Sequence, residues 1–165
     1  MEKKTAVVFL DVDGVLNSRT TCVRAPSGEN IGIDEARVDL LAKAIKETRM
    51  DGVVLTSTWK DMRKDQEDYL YLLNNLEKQG IILLGQTKEK QFSKREEGVL
   101  RYLEDHPEIE DFVILDDQHF GFRDYRKLWE SFVETNGRGI ENAIAASETP
   151  SILAILFIDA IRKYA

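Results

Sequence analysis

The stretch Val7-Val8-Phe9-Leu10-Asp11-Val12-Asp13-Gly14-Val15-Leu16-Asn17 decides the fold of this chain of 165 residues. Residues 6–10 form a continuous apolar run rich in β-formers, which predicts a strand buried on both faces. Such a strand belongs in a mainly parallel sheet covered by helices. The run stops on two aspartates spaced one residue apart and followed by glycine. Carboxylates placed directly after a buried strand lie where α/β folds keep their ligands, beyond the carboxyl ends of the strands.

Reading outward, strand-type and helix-type segments alternate. Asp34 is placed to cap a helix running to about residue 48, with Leu41, Ala44 and Ile45 inward. Gly52 leads into a strand over residues 53–55. Tyr69, Leu72, Leu73 and Leu76 predict a helix over 66–79, stopped by Gly80. Residues 81–84 read as a strand, and 94–104 as a helix with Val99, Tyr102 and Leu103 inward, ended by His106-Pro107. Residues 112–115 are the fourth strand and 131–133 a short fifth. Thr149-Pro150 predicts the cap and first position of a last helix to about residue 163. This rhythm predicts one α/β domain over residues 1–165, a Rossmann-like three-layer sandwich with a mainly parallel central sheet.

The strand ends carry the chemistry. Asp11 and Asp13 follow the first strand, Thr56, Ser57, Thr58 and Trp59 the second, and Asp116-Asp117 the fourth; Lys94 opens the helix before the fourth. Four carboxylates gathered at one edge stay ionised together only around a cation. An oxygen-only donor set favours Mg²⁺ over zinc. A calcium-binding EF-hand is excluded, because Leu16 holds the loop position that needs glycine and a strand, not a helix, precedes the loop. The bland alternative makes both Asp pairs ordinary turn residues. It does not explain why a hydroxyl and an ammonium fall between them in register.

At these residues the chain resembles the haloacid dehalogenase (HAD) phosphatases. Val8 to Leu16 is similar to their hydrophobic strand followed by Asp-x-Asp. Thr56/Ser57 matches their strand-ending hydroxyl, Lys94 their helix-associated lysine, and Phe112 to Asp117 their late acidic pair. The likeness spans nearly the whole chain in the family's order. Val53 to Lys60, with Asp13 to Asn17, is further similar to a subgroup that includes HAD domains of RNA-repair (Swiss Army Knife) proteins.

The resemblance implies a Mg²⁺-dependent phosphomonoester hydrolase working through an aspartyl-phosphate, with nucleotides or nucleic-acid ends as candidate substrates. Asp11 is the implied nucleophile and Asp13 the general acid/base. Thr56 or Ser57 would hold a phosphoryl oxygen and Lys94 would offset its charge. Asp11, the backbone carbonyl of Asp13, and Asp116 would hold the metal, with Asp117 on a metal-bound water or on Lys94. Asp13 sets the chain apart from the family's carbon–halogen hydrolases and transport ATPases, which lack a carboxylate there. Residues 18–32 leave room for a flap at most, so no separate cap domain is expected. The alternative is a non-catalytic HAD-like phosphate-binding or regulatory module. A receiver-type phosphoacceptor domain fits less well, since its acidic pair comes first and its phosphoacceptor Asp later.

The totals limit partners. A net charge of −7 argues against bulk nucleic-acid binding, though not against a local basic rim. Lys60, Arg63 and Lys64 are the candidates for such a rim, with a solvated helix face as the default. Trp59 would stack a base or, more simply, pack at the core edge. Cys22 is the sole cysteine, which permits no intrachain disulfide. No apolar run approaches the roughly 20 residues of a membrane span, so a cytoplasmic protein with no membrane partner is expected. Gly137-Arg138-Gly139 reads as a turn, and His106 and His119 as surface residues.

Overall fold

The structure is a computed structural model that describes residues 4–90 and 93–165. Its strands are β1 (Thr5–Leu10), β2 (Gly52–Leu55), β3 (Leu83–Gln86), β4 (Ile109–Asp116), β5 (Phe132–Glu134) and β6 (Ile144–Ala145). Its helices are α1 (Glu35–Glu47), α2 (Glu67–Lys78), α3 (Arg95–Asp105), α4 (Arg126–Trp129) and α5 (Ile152–Tyr164). The strands form one sheet in the order β3-β2-β1-β4-β5-β6. All neighbours run parallel except β5 and β6. Among the described residues, no helix is long and apolar enough to cross a membrane.

The apolar run of β1 is divided by its own pleat. Val8 and Leu10 join one core with Val53, Leu55, Val113 and Leu115, against α1, α2 and α5. Val7 and Phe9 join the other with Val54, Phe112 and Ile114, against α3 and the segment around Phe122 and Leu128. Successive side chains point to opposite faces, so an unbroken run serves a sheet covered twice.

β4 starts three residues earlier than expected, at Ile109, and three further differences have local causes. β3 starts two residues late, because Ile81 finishes α2. Its N–H bonds to the Leu76 carbonyl and that of Gly80 to Glu77, with Gly80 at φ 75°, a Schellman ending that takes the first apolar residue for the helix. The cap of α5 is Ser151 rather than Thr149, since the Ser151 hydroxyl accepts from the Ala154 N–H and Pro150 precedes the cap. Asp34 stands at the N-terminus of α1 but turns its carboxylate to Thr21 and Arg37 instead of the helix.

Between β1 and α1 the chain makes a flap, closed by the antiparallel bridge of Arg24 with Ile31. Asp68 of α2 clamps it. This buried carboxylate accepts from Ser27 N (2.9 Å), Ser27 Oγ (2.6 Å) and Asn30 Nδ2 (2.8 Å). Burial alone would push its pKa up, but these bonds hold it below the ordinary value. Asp68→Ala would strand three donors and cost about 2 kcal/mol. A thermal melt is expected to show a Tm lower by about 4–8 °C, with proteolysis beginning within residues 18–32. An unchanged melt would show that the clamp adds nothing.

Candidate active site

Register assembles the site. Leu10 pairs with Leu115 on one side and Leu55 on the other. The ladder runs on past the strands: the Asp11 N–H bonds to the Leu115 carbonyl at 3.0 Å, and the Thr56 N–H to Leu10 at 2.9 Å. Asp11, Asp116 and Thr56 therefore lie side by side at the carboxyl edge. Carboxylate oxygens of Asp11, Asp116 and Asp117 fall within 4.8 Å of one another. Asp11 is 5% exposed and Asp116 0%.

Buried like charges dominate the electrostatics. Burial first, and then the charge of Asp116, push the Asp11 carboxyl well above its usual range. Burial likewise lifts Asp116 to about 6, although Arg95 works against the rise. Arg95 Nη1 reaches Asp116 Oδ2 at 2.8 Å and Asp11 Oδ1 at 3.2 Å, and its guanidinium lies 4.4 Å from the centre of the Phe120 ring. Three acidic oxygen donors, two of them buried, fit a hard divalent cation and give no foothold for a thiolate- or imidazole-loving metal.

Asp13 faces a different set of partners. Its Oδ1 accepts from Asn17 Nδ2 at 3.0 Å, and its Oδ2 from Trp59 Nε1 at 3.1 Å. Asn17 Oδ1 in turn accepts the Gly14 N–H at 2.9 Å, which closes the loop around Asp13. Trp59 is thus a buried ring with one polar task, not a base-stacking surface. Gly14 sits at φ 84°, and a Cβ there would come 2.5 Å from Asp117 Oδ2, so only glycine lets the two acidic loops meet.

Above the carboxylates lies a cavity of about 520 Å³, lined by Asp11, Asp13, Thr58, Lys60, Arg95 and Asp117 among others. Of the three hydroxyls after β2, it is Thr58 that lines it. Ser57 is buried, and its hydroxyl accepts from the Trp59 N–H. Thr56 Oγ1 is buried with no hydrogen-bond partner among the described residues. Lys60, expected on a solvated face, has a side chain only 4% exposed and lies 3.4 Å from Glu89 Oε1, whereas Arg63 is exposed beside Asp65.

Lys94 is not brought to the carboxylates. It is the residue before α3, its side chain is 71% exposed, and its nearest acidic partner is Glu97 at 3.9 Å. Arg95 takes the inward place. Neighbouring residues at a helix start diverge by about 100°, so an offset of one residue exchanges solvent for site. Arg95 shares its face with Val99 and Tyr102, four and seven positions on, and that spacing was the signal for it. Arg95→Ala is therefore expected to be strongly deleterious to any chemistry at Asp11, and Lys94→Ala near-neutral. Equal losses in the two variants, measured side by side, would contradict this placement.

A parallel sheet with an Asp-x-Asp loop and a second acidic pair on adjacent central strands is the arrangement of the HAD-like class, whose domains are generally hydrolases of phosphate esters and typically use a divalent metal. The family model described as "HAD domain in Swiss Army Knife RNA repair proteins" matches residues 7–145, and the chain belongs to that family. No curated protein and no solved structure gives a significant match.

Proposed function

We propose that the protein is a Mg²⁺-dependent phosphomonoester hydrolase with Asp11 as nucleophile. The observation that carries this reading is the convergence of Asp11 and the Asp116-Asp117 pair from two adjacent parallel strands beneath a single cavity. Asp11, the Asp13 carbonyl and Asp116, with Asp117 alongside, would hold Mg²⁺, which would supply positive charge against the repulsion between carboxylate and phosphate, about 4 kcal/mol per unit pair at 4 Å and an effective dielectric of 20.

Asp11 attacks phosphorus, and the new Oδ–P bond forms as the bond to the leaving oxygen breaks. Asp13, aimed by Asn17 and Trp59, gives that oxygen its proton. Water then attacks the aspartyl-phosphate, Asp13 takes a proton from it, and inorganic phosphate leaves with Asp11 restored. Arg95 balances the charge of the buried aspartates, while Lys60 lies along the same cavity for the phosphoryl oxygens. A hydroxyl from residues 56–58 adds a donor.

Membership of a family of HAD domains found in RNA-repair proteins supports a phosphorylated RNA or other nucleic-acid end as substrate. The short flap leaves the cavity open to a bulky phosphoester, and a cytoplasmic setting agrees with both. Hydrolysis of a generic aryl phosphate with Mg²⁺ tests the enzyme. Binding of phosphate without turnover would instead leave a phosphate-binding module. A comparison of kcat/KM for an end-phosphorylated oligonucleotide and a mononucleotide tests the substrate. A clear mononucleotide preference would defeat the large-substrate reading.

A further inference from the structure

Beside the carboxylate cavity lies a second one of about 740 Å³, between the flap and the loop that follows β5. Asp13, Asp117 and Gln118 line both cavities, whereas Asp11 and Arg95 line only the first. Asp13 thus stands at the boundary. With phosphorus over Asp11 and the leaving oxygen at Asp13, whatever that oxygen carries continues into the second cavity.

Two arginines line this second space, Arg19 from the flap and Arg138 from the loop after β5. Both are exposed, and among the described residues neither guanidinium has a hydrogen-bond or ion-pair partner. The backbone around Arg138 is fixed relative to Asp13. The Thr135 hydroxyl (2.7 Å) and the Gly139 N–H (3.0 Å) both donate to the Gly14 carbonyl, and the Ile140 N–H donates to Val15 at 2.8 Å. Arg37, with only 14% of its side chain exposed, ties the two rims together. It donates to Asp34 (2.7 Å) and Thr21 (3.4 Å) on the flap side, and to Glu141 (2.6 Å) and the Arg138 carbonyl (3.0 Å) on the loop side.

We propose that this second cavity is a leaving-group subsite in which Arg19 and Arg138 bind a further phosphate of the substrate. It rests on the hydrolase reading above. The volume suits a group of nucleoside size. Unpaired guanidinium forks match phosphate oxygens, and their two charges offset those of Asp13 and Asp117, which line the same cavity. The favoured substrate class is then a phosphomonoester whose leaving group carries a second phosphate.

The test compares adenosine 3′,5′-bisphosphate with adenosine 5′-monophosphate in two measurements. Binding is followed by calorimetry on Asp11→Asn protein with Mg²⁺, which does not depend on turnover. The bisphosphate is expected to bind on the order of tenfold more tightly, with the ratio falling toward one when Arg19→Ala and Arg138→Ala are added. Both arginines are exposed, and a thermal melt checks that the variant remains folded. Equal affinities, or a preference that survives the double change, overturn the subsite. In wild-type protein the same ratio is expected in kcat/KM. Tighter bisphosphate binding with turnover of neither compound would overturn the hydrolase reading and the leaving-group assignment, while leaving a phosphate site at Arg19 and Arg138.

Discussion

Asp11→Asn is expected to lower phosphatase turnover by on the order of 10⁴-fold or more while leaving the fold intact. The amide fills the same volume but cannot attack phosphorus or keep a negative charge. Asp11 lies 5% exposed beside Asp116, so loss of its charge also removes a buried repulsion. In chelator the variant should melt at the same temperature as wild type or higher. That combination, a lost reaction in a protein no less stable, separates a nucleophile from a structural carboxylate. Activity near wild type would exclude the mechanism. Asp13→Asn should also abolish turnover, through loss of the proton shuttle in both steps, although substrates with good leaving groups should still phosphorylate Asp11 slowly because these need no proton to depart.

Chelation is expected to abolish turnover and Mg²⁺ to restore it, with Ca²⁺ inhibitory because its longer, looser bonds would misplace Asp11. Asp116→Ala should raise the Mg²⁺ requirement more than loss of any carboxylate except Asp11. The same site predicts the pH dependence of stability. Burial raises Asp116 to about 6, against about 3.9 in an unfolded chain. A raised folded-state value means that the proton is held more tightly when folded. Stability is therefore fully present below about pH 4 and is lost as pH rises through about 6. Asp11, raised for the same reason, extends the loss upward. Melts in chelator should fall across this window, and the gain in Tm from Mg²⁺ should be larger at neutral pH than at pH 4.5. A flat profile in chelator would contradict the burial of these charges. Full activity in excess chelator would rule out the metal.

Much of this arrangement was legible before any coordinates, and the boundary of legibility has physical causes. The run before Asp11 reads as a doubly covered strand because it is short, rich in β-formers and closed by Asp-x-Asp-Gly; apolarity alone would not decide it, since residues 152–158 are apolar throughout and helical. Asp11 and Asp116-Asp117 were legible as a pair because strand ends project to one edge whatever the connections between them. The two-residue β6 left no trace, being too short to show alternation. Ile81 was misassigned because an apolar residue after Gly80 reads equally as the start of a strand or the last contact of a helix, and only the Leu76 carbonyl decides. Composition at residues 94 and 95 offers two cations, and helical phase alone turns Arg95 rather than Lys94 toward the carboxylates. The Trp59–Asp13 bond joins residues 46 apart, a pairing that depends on how a turn after β2 faces a loop after β1. The burial of Lys60 against Glu89 is equally non-local.

The central place of β1 carries a consequence for how the protein reaches its working state. β1 pairs with β2, but its other neighbour is β4, so Val7 must find Phe112 and Val8 must find Val113. Most of the chain has to be present before that edge closes. Pairings of such long sequence separation form slowly, since the entropy of closing the intervening chain is lost before the contact repays it. Until β4 docks, Thr5–Leu10 is an apolar strand with one open edge, the kind of segment through which partly folded chains associate. Asp116 arrives on the same strand that closes that edge. The acidic cluster and the β1–β4 pairing therefore appear together, so recovery of activity during refolding should report closure of that long-range edge.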